Sequence, residues 1–183
     1  VVRLGDQSMT PLPPMGQVID YAVAEERAEE LDVFFCAAAK FMLATSSGPL
    51  PVANVFGTPL LAANLIPPGD NSYSSKDVFI HKHLRRRATG EYLNAQEIIT
   101  PPLRIMQSPR GFSDRDLEVI DNTPDDIRDA AEEMMMRMEG AFEMTKQDQD
   151  DLNRYREMND YPGISSRSTV ATSFLRRHRF LIE

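Results

Sequence analysis

The sequence predicts an α/β fold, a Rossmann-like parallel sheet with additional C-terminal helices. Three observations carry this. Apolar runs of strand length recur at residues 1–4, 17–22, 41–45, 59–64 and 78–80. Several are separated by stretches with helical spacing. The runs are continuous rather than alternating, as in strands covered on both faces.

The elements follow in order. Val1-Val2-Arg3-Leu4 reads as a strand, and residues 5–16 as a loop punctuated by Pro11, Pro13 and Pro14. Residues 17–22 read as a second strand. Residues 25–40 read as a helix, with Glu25, Glu26, Glu29 and Glu30 at the positive end of its dipole and Lys40 at the negative end. Leu31, Phe34, Phe35 and Ala38 fall at helical spacing and predict a buried face. Cys36, in the longest clean apolar stretch (residues 33–39), reads as a small core residue. Residues 41–45 form the next strand, residues 50–56 a helix ended by Gly57, and residues 59–64 a strand. Residues 67–76 form a polar loop containing Gly69, Asp70, Asn71 and Ser72-Tyr73-Ser74-Ser75, and residues 78–80 read as a further short strand or an ordered turn. Residues 94–99 make a short helix stopped by Pro101-Pro102. Thr123 is an N-cap, with Pro124 and Asp125-Asp126 in the first turn of a helix running to Gly140. Residues 148–159 and 170–182 read as two more helices. Residues 1–122 are therefore expected to form the Rossmann-like unit, and residues 123–183 a helical extension packing back on it.

Composition bounds the function. The chain has 183 residues, 42% hydrophobic and 26% charged, with a net charge of −8. That acidity disfavours general nucleic-acid binding, which needs a basic footprint. No apolar run reaches the roughly 18–20 residues of a membrane span. The start lacks the basic-then-apolar order of a signal peptide, so a cytoplasmic location is expected. One cysteine excludes an intramolecular disulfide and Cys-rich zinc sites. The chain opens without Met in a strand already under way, so a preceding N-terminal domain is expected.

Five groups of residues could carry chemistry. In Thr45-Ser46-Ser47-Gly48-Pro49 a strand ends, small residues follow and a helix begins. Its backbone N–H groups, its Ser hydroxyls and the access given by Gly48 suit a diphosphate, while an ordinary serine cap fits the same five residues. Arg3 ends the first strand, where ligands of doubly wound sheets bind. It either pairs phosphate oxygens with its planar fork or fixes the loop through Asp6. Asp20, with Tyr21, ends the second strand and either accepts from a ribose or base or caps a loop. Lys76 and Lys82 flank the strand at 78–80, within reach of a diphosphate. His81 and His83 alternate on that stretch, with no third ligand nearby to make a zinc site. Asp32, inside the first helix, is read as supporting the phosphate turn. Asp114-Arg115-Asp116 and Asp148-Gln149-Asp150 are read as solvated surface carboxylates, Arg85-Arg86-Arg87 as a solvated turn, and Met134-Met135-Met136-Met138 as adaptable packing spread around a helix.

Several of these strings together resemble a known group. Val1-Val2-Arg3-Leu4-Gly5-Asp6, Pro11-Leu12-Pro13-Pro14, Val18-Ile19-Asp20-Tyr21-Ala22, Leu31-Asp32-Val33-Phe34-Phe35-Cys36, Phe41-Met42-Leu43-Ala44-Thr45-Ser46-Ser47-Gly48-Pro49, Phe56-Gly57-Thr58-Pro59 and Lys76-Asp77-Val78-Phe79-Ile80 resemble the C-terminal half of bacterial glycosyltransferases of GT-B-like architecture associated with surface polysaccharide assembly. The likeness covers most of residues 1–100 and thins through 101–165. It is also distantly similar to the donor half of GDP-fucose-dependent fucosyltransferases.

The resemblance implies a sugar-nucleotide donor and a glycan or other acceptor. Arg3 would lie on phosphate, Ser46, Ser47 and Gly48 would form the diphosphate turn, and Asp20 and Tyr21 would lie near the nucleoside. No metal or other cofactor is expected, and the catalytic base would lie outside this chain. Lys82 follows His81 where the pattern has Pro-Lys. A sugar-nucleotide epimerase of GT-B architecture and a non-catalytic assembly module are the alternatives.

Overall fold

The computed structural model describes residues 1–67, 74–159 and 167–183. Residues 68–73 of the expected polar loop 67–76 and the segment 160–166 lie outside the described residues.

The fold is α/β and Rossmann-like. Its centre is a parallel sheet of four strands, β1 (Met42–Ala44), β2 (Leu60–Leu65), β3 (Val78–His81) and β6 (Thr169–Val170), in the order β1-β2-β3-β6. β3 is buried at every residue and β2 at all but Asn64, which is why both read as continuous apolar runs. Two further strands, β4 (His83–Arg86) and β5 (Leu117–Ile120), pair antiparallel in a separate sheet. Helix α1 (Glu29–Ala38) packs on α2 (Pro49–Val55). The short helices α3 (Ala95–Ile99) and α4 (Pro109–Ser113) precede β5. Helix α5 (Pro124–Glu139) packs on β2 and β3, and α6 (Lys146–Met158) and α7 (Thr172–Arg177) close the C-terminal side. One core cluster joins Leu61, Ile80, Met134, Leu152 and Phe174. No described helix is long and apolar enough to cross a membrane.

Local chemistry accounts for the joints. Asn64 breaks the register of β2 with a left-handed φ of 52°, a conformation Asn tolerates better than most residues. It exchanges two hydrogen bonds with Asn122, at 2.6 and 2.7 Å. Asn122 also donates to the His81 carbonyl at 2.9 Å, so the entrance to α5 is tied to the ends of β2 and β3. Buried Asp77 accepts from Leu60 N–H at 2.9 Å and from Ser74 N–H at 2.6 Å, fixing the other ends of the same strands. Thr123 and Thr145 form capping boxes with Asp126 and Asp148 that start α5 and α6. Gly140 ends α5 in the left-handed region at φ 69°.

Five expectations are corrected. Residues 1–4 and 17–22 form no strands; they meet in a single parallel bridge, Val2 to Ile19, in an exposed, proline-flanked segment. The apolar face of α1 is largely open: Phe34 is 56% exposed, and Cys36 is the buried residue of that helix. The final helix of the sequence reading starts as a strand, because β-branched Thr169-Val170 pairs with β3 before α7 begins. Asp148 is buried rather than solvated. It accepts from Arg176 at 2.5 and 2.6 Å, and these bonds hold its carboxyl well below the usual range. The run Arg85-Arg86-Arg87 lies in and just after β4, and each arginine has an acceptor: Glu118, Glu97 and the Leu117 carbonyl.

Candidate functional site

In a parallel α/β sheet, ligands sit beyond the carboxyl ends of the strands. Here that edge is formed by the chain leaving β1 at Thr45, β2 at Ile66, β3 at Lys82 and β6 at Ala171. The turn Ser46-Ser47-Gly48 stands exposed there. Ser46 Oγ donates to the Ile66 carbonyl at 3.1 Å, which fastens the turn to the end of β2. Ser47 accepts from Leu50 N–H at 3.1 Å as α2 begins. Gly48 has helical torsions, φ −51° and ψ −43°, and no side-chain cap bond is made there. A Cβ built on Gly48 meets nothing within 4 Å, so the space over the turn is open.

Lys82 joins this group from the neighbouring strand. Its N–H donates to the Leu65 carbonyl at 3.2 Å, one residue before the carbonyl that Ser46 holds. Its ammonium pairs with Asp121 at 2.6 Å, and the Asp121 side chain is 68% exposed. Such a partner can be exchanged for an anionic ligand at little cost, because exposed ion pairs contribute about 0–1 kcal/mol.

The remaining expected donor residues lie elsewhere or are occupied. Lys76 precedes β3, at the amino edge of the sheet, whereas Lys82 follows the strand. At about 3.3 Å per residue, the two are roughly 20 Å apart along the chain, too far for one diphosphate. Arg3 pairs with Asp20, at 3.0 and 3.1 Å, and donates to the Thr10 carbonyl at 3.1 Å. Asp20 also accepts from Leu12 N–H at 2.8 Å. The expected partner Asp6 instead accepts from Ser8 N–H at 2.8 Å. Tyr21 is buried; its hydroxyl donates to the Ala28 carbonyl at 3.1 Å and accepts from Ala28 N–H at 2.8 Å. Its ring meets Phe35 edge-on at 4.9 Å. Arg3 and Asp20 thus brace the loop over residues 5–16, and Tyr21 anchors the segment to α1. Asp32 pairs with Arg27 at 3.3 Å, not with the turn. Among the described residues, no hydrogen bond joins Arg3, Asp20 or Tyr21 to Ser46, Ser47, Gly48 or Lys82.

A second polar cluster was not legible in the sequence. His81 ends β3, His83 begins β4, and His178 caps the end of α7. The rings of His83 and His178 are 4.3 Å apart, and those of His81 and His83 6.3 Å. Asp126 of α5 meets His178 Nε2 at 2.8 Å. Burial pushes His83 down to about 3 and His81 to about 4, with neighbouring imidazoles adding to both shifts. The sequence showed the His81/His83 pair, but the third and fourth members lie far along the chain with no local spacing to mark them. Compared with known families, with curated proteins and with solved structures, the chain matches none.

Proposed function

We propose that this chain is the sugar-nucleotide-binding half of a glycosyltransferase that transfers a sugar from a nucleoside-diphosphate donor, in surface polysaccharide synthesis. One observation carries the reading: the exposed, glycine-opened turn at residues 46–48 and the Lys82 backbone flank the end of β2 at the carboxyl edge of the parallel sheet. The likeness of residues 1–100 to the donor halves of such enzymes adds to it.

In this reading the turn's N–H groups and Ser hydroxyls meet the diphosphate, and Lys82 leaves Asp121 to stabilise the negative charge that develops as the sugar departs. The acceptor and the catalytic base come from outside these residues. Arg3, Asp20 and Tyr21 are positioning residues for the segment beside α1, not donor contacts.

A thermal-shift screen of the chain against GDP-, UDP-, CMP- and dTDP-sugars tests this. Stabilisation by one nucleotide class, diminished in Lys82→Ala, is expected. Equal stabilisation of wild type and Lys82→Ala, or none by any nucleotide, counts against it.

A further inference from the structure

The chain has three histidines: His83 and His178 meet beside Asp126, and His81 lies next to His83. His83, Asp126 and His178 offer ligand atoms that all lie within 4.8 Å of one another. They come from β4, α5 and the end of α7, so their meeting is a product of the tertiary fold. None belongs to the set at the carboxyl-edge turn, and the inference stands independently of the donor reading.

Two features make this more than a pair of neighbours. His83 is 4% exposed, and neither of its ring nitrogens has a hydrogen-bond partner. A neutral imidazole carries one N–H donor and one lone pair, and leaving both unmet in the interior costs free energy. A ligand that accepts the lone pair removes half of that deficit. Asp126, meanwhile, is held for one-sided use. Its Oδ2 accepts from Thr123 N–H at 2.9 Å and from the Thr123 hydroxyl at 2.7 Å, which leaves Oδ1 aimed at His178. This is the supporting hydrogen bonding that orients a metal-binding carboxylate. Arg177 Nε also approaches Oδ1, at 3.4 Å, while its Nη2 is engaged by Asp129.

The walls are aromatic: Phe174 stacks on His83 at 5.1 Å, with Phe180 at 5.2 Å and Tyr92 at 5.7 Å. Two imidazoles and one carboxylate among aromatic rings suit a borderline divalent ion of the zinc type, and not calcium or magnesium, which take oxygen ligands.

We propose that His83, Asp126 and His178 bind a zinc-class divalent cation, which fastens α5 and α7 to β4. The fourth position of its tetrahedron is left to water or another donor. Bonds of about 2.0–2.1 Å place ligand atoms roughly 3.3 Å apart. The widest pair therefore draws in by at most about 1.5 Å on binding, within the reach of side-chain rotation.

The test uses the full chain, stripped with a chelator and titrated with zinc against a chromophoric competitor. One zinc per chain is expected, with Tm raised by roughly 5 °C at saturation and unmoved by magnesium. Asp126→Asn and His178→Gln should each weaken zinc at least about tenfold while keeping the wild-type far-UV circular dichroism. Substoichiometric uptake, or zinc affinity unchanged in both variants, overturns the proposal and leaves His178 and Asp126 as a simple hydrogen-bonded pair. Should the variants unfold, cobalt(II) in the wild-type chain decides. Paramagnetically shifted imidazole N–H signals from two histidines support the site, and fewer than two overturn it.

Discussion

Replacing Gly48 with alanine separates ligand binding from folding at the proposed donor turn. The backbone at Gly48 is already helical, φ −51° and ψ −43°, so alanine adopts it without strain. The added methyl meets no atom within 4 Å, so nothing in the fold has to move. Reduced freedom of the unfolded chain favours alanine by about 0.4–1 kcal/mol. The weaker N-cap preference of alanine offsets this, by about 0.5–1 kcal/mol. The net is within about 0.5 kcal/mol of zero, a Tm change within roughly 2 °C for a chain of this size. The same methyl stands in the space that a diphosphate would occupy, so donor affinity should fall at least about tenfold, or about 1.4 kcal/mol. Differential scanning calorimetry and isothermal titration with the preferred nucleotide measure the two effects separately. A Tm lowered by more than about 3 °C would refute the described turn geometry. Unchanged Tm with unchanged donor affinity would refute its role in binding.

Two further predictions concern the carboxylates that hold the C-terminal helices. Buried Glu133 of α5 accepts from Thr172 N–H and hydroxyl, Ser173 N–H and Arg137. Glu133→Ala strands these donors and should cost about 3–5 kcal/mol, a Tm loss of roughly 6–20 °C; a loss under about 2 °C by thermal scanning would mean α7 is not anchored there. The Arg176 guanidinium holds the Asp148 carboxyl below its ordinary value in the fold. The folded chain thus binds fewer protons there than the unfolded one, so the contribution is present above about pH 4 and lost as pH falls below it. The urea midpoint of wild type should drop more between pH 5 and pH 3 than that of Asp148→Asn, and parallel drops would show that the Arg176 contact contributes little.

The sheet centre was legible because β2 and β3 are buried on both faces, and continuous apolar runs record that directly. β6 was not, since two residues carry no periodicity and gain strand character only by pairing with β3. Helical spacing correctly put Leu31 and Phe34 on one helix, but a shared face does not imply a cover, and Phe34 remains open. The turn at residues 46–48 announced itself through small residues between a strand and a helix. Lys76 and Lys82 flank the same strand in the sequence yet lie at opposite edges of the sheet, because proximity in sequence says nothing about which edge a residue meets. Arg3 found its acceptor in Asp20, 17 residues away rather than 3. Polar surroundings in the sequence made Asp148 look solvated, because its partner Arg176 lies 28 residues on. The cluster of His83, Asp126 and His178 is wholly tertiary, and sequence spacing could not have assembled it.

The most direct measurement of the central claim is an amide-resolved NMR titration of the labelled chain with its stabilising nucleotide sugar. With the donor at the turn, the largest shift changes fall on Ser46, Ser47, Gly48 and Lys82, with Arg3, Asp20 and Tyr21 moving little. Changes centred on Arg3, Asp20 and Tyr21, or none at millimolar nucleotide, would contradict a donor site at the carboxyl edge of the sheet.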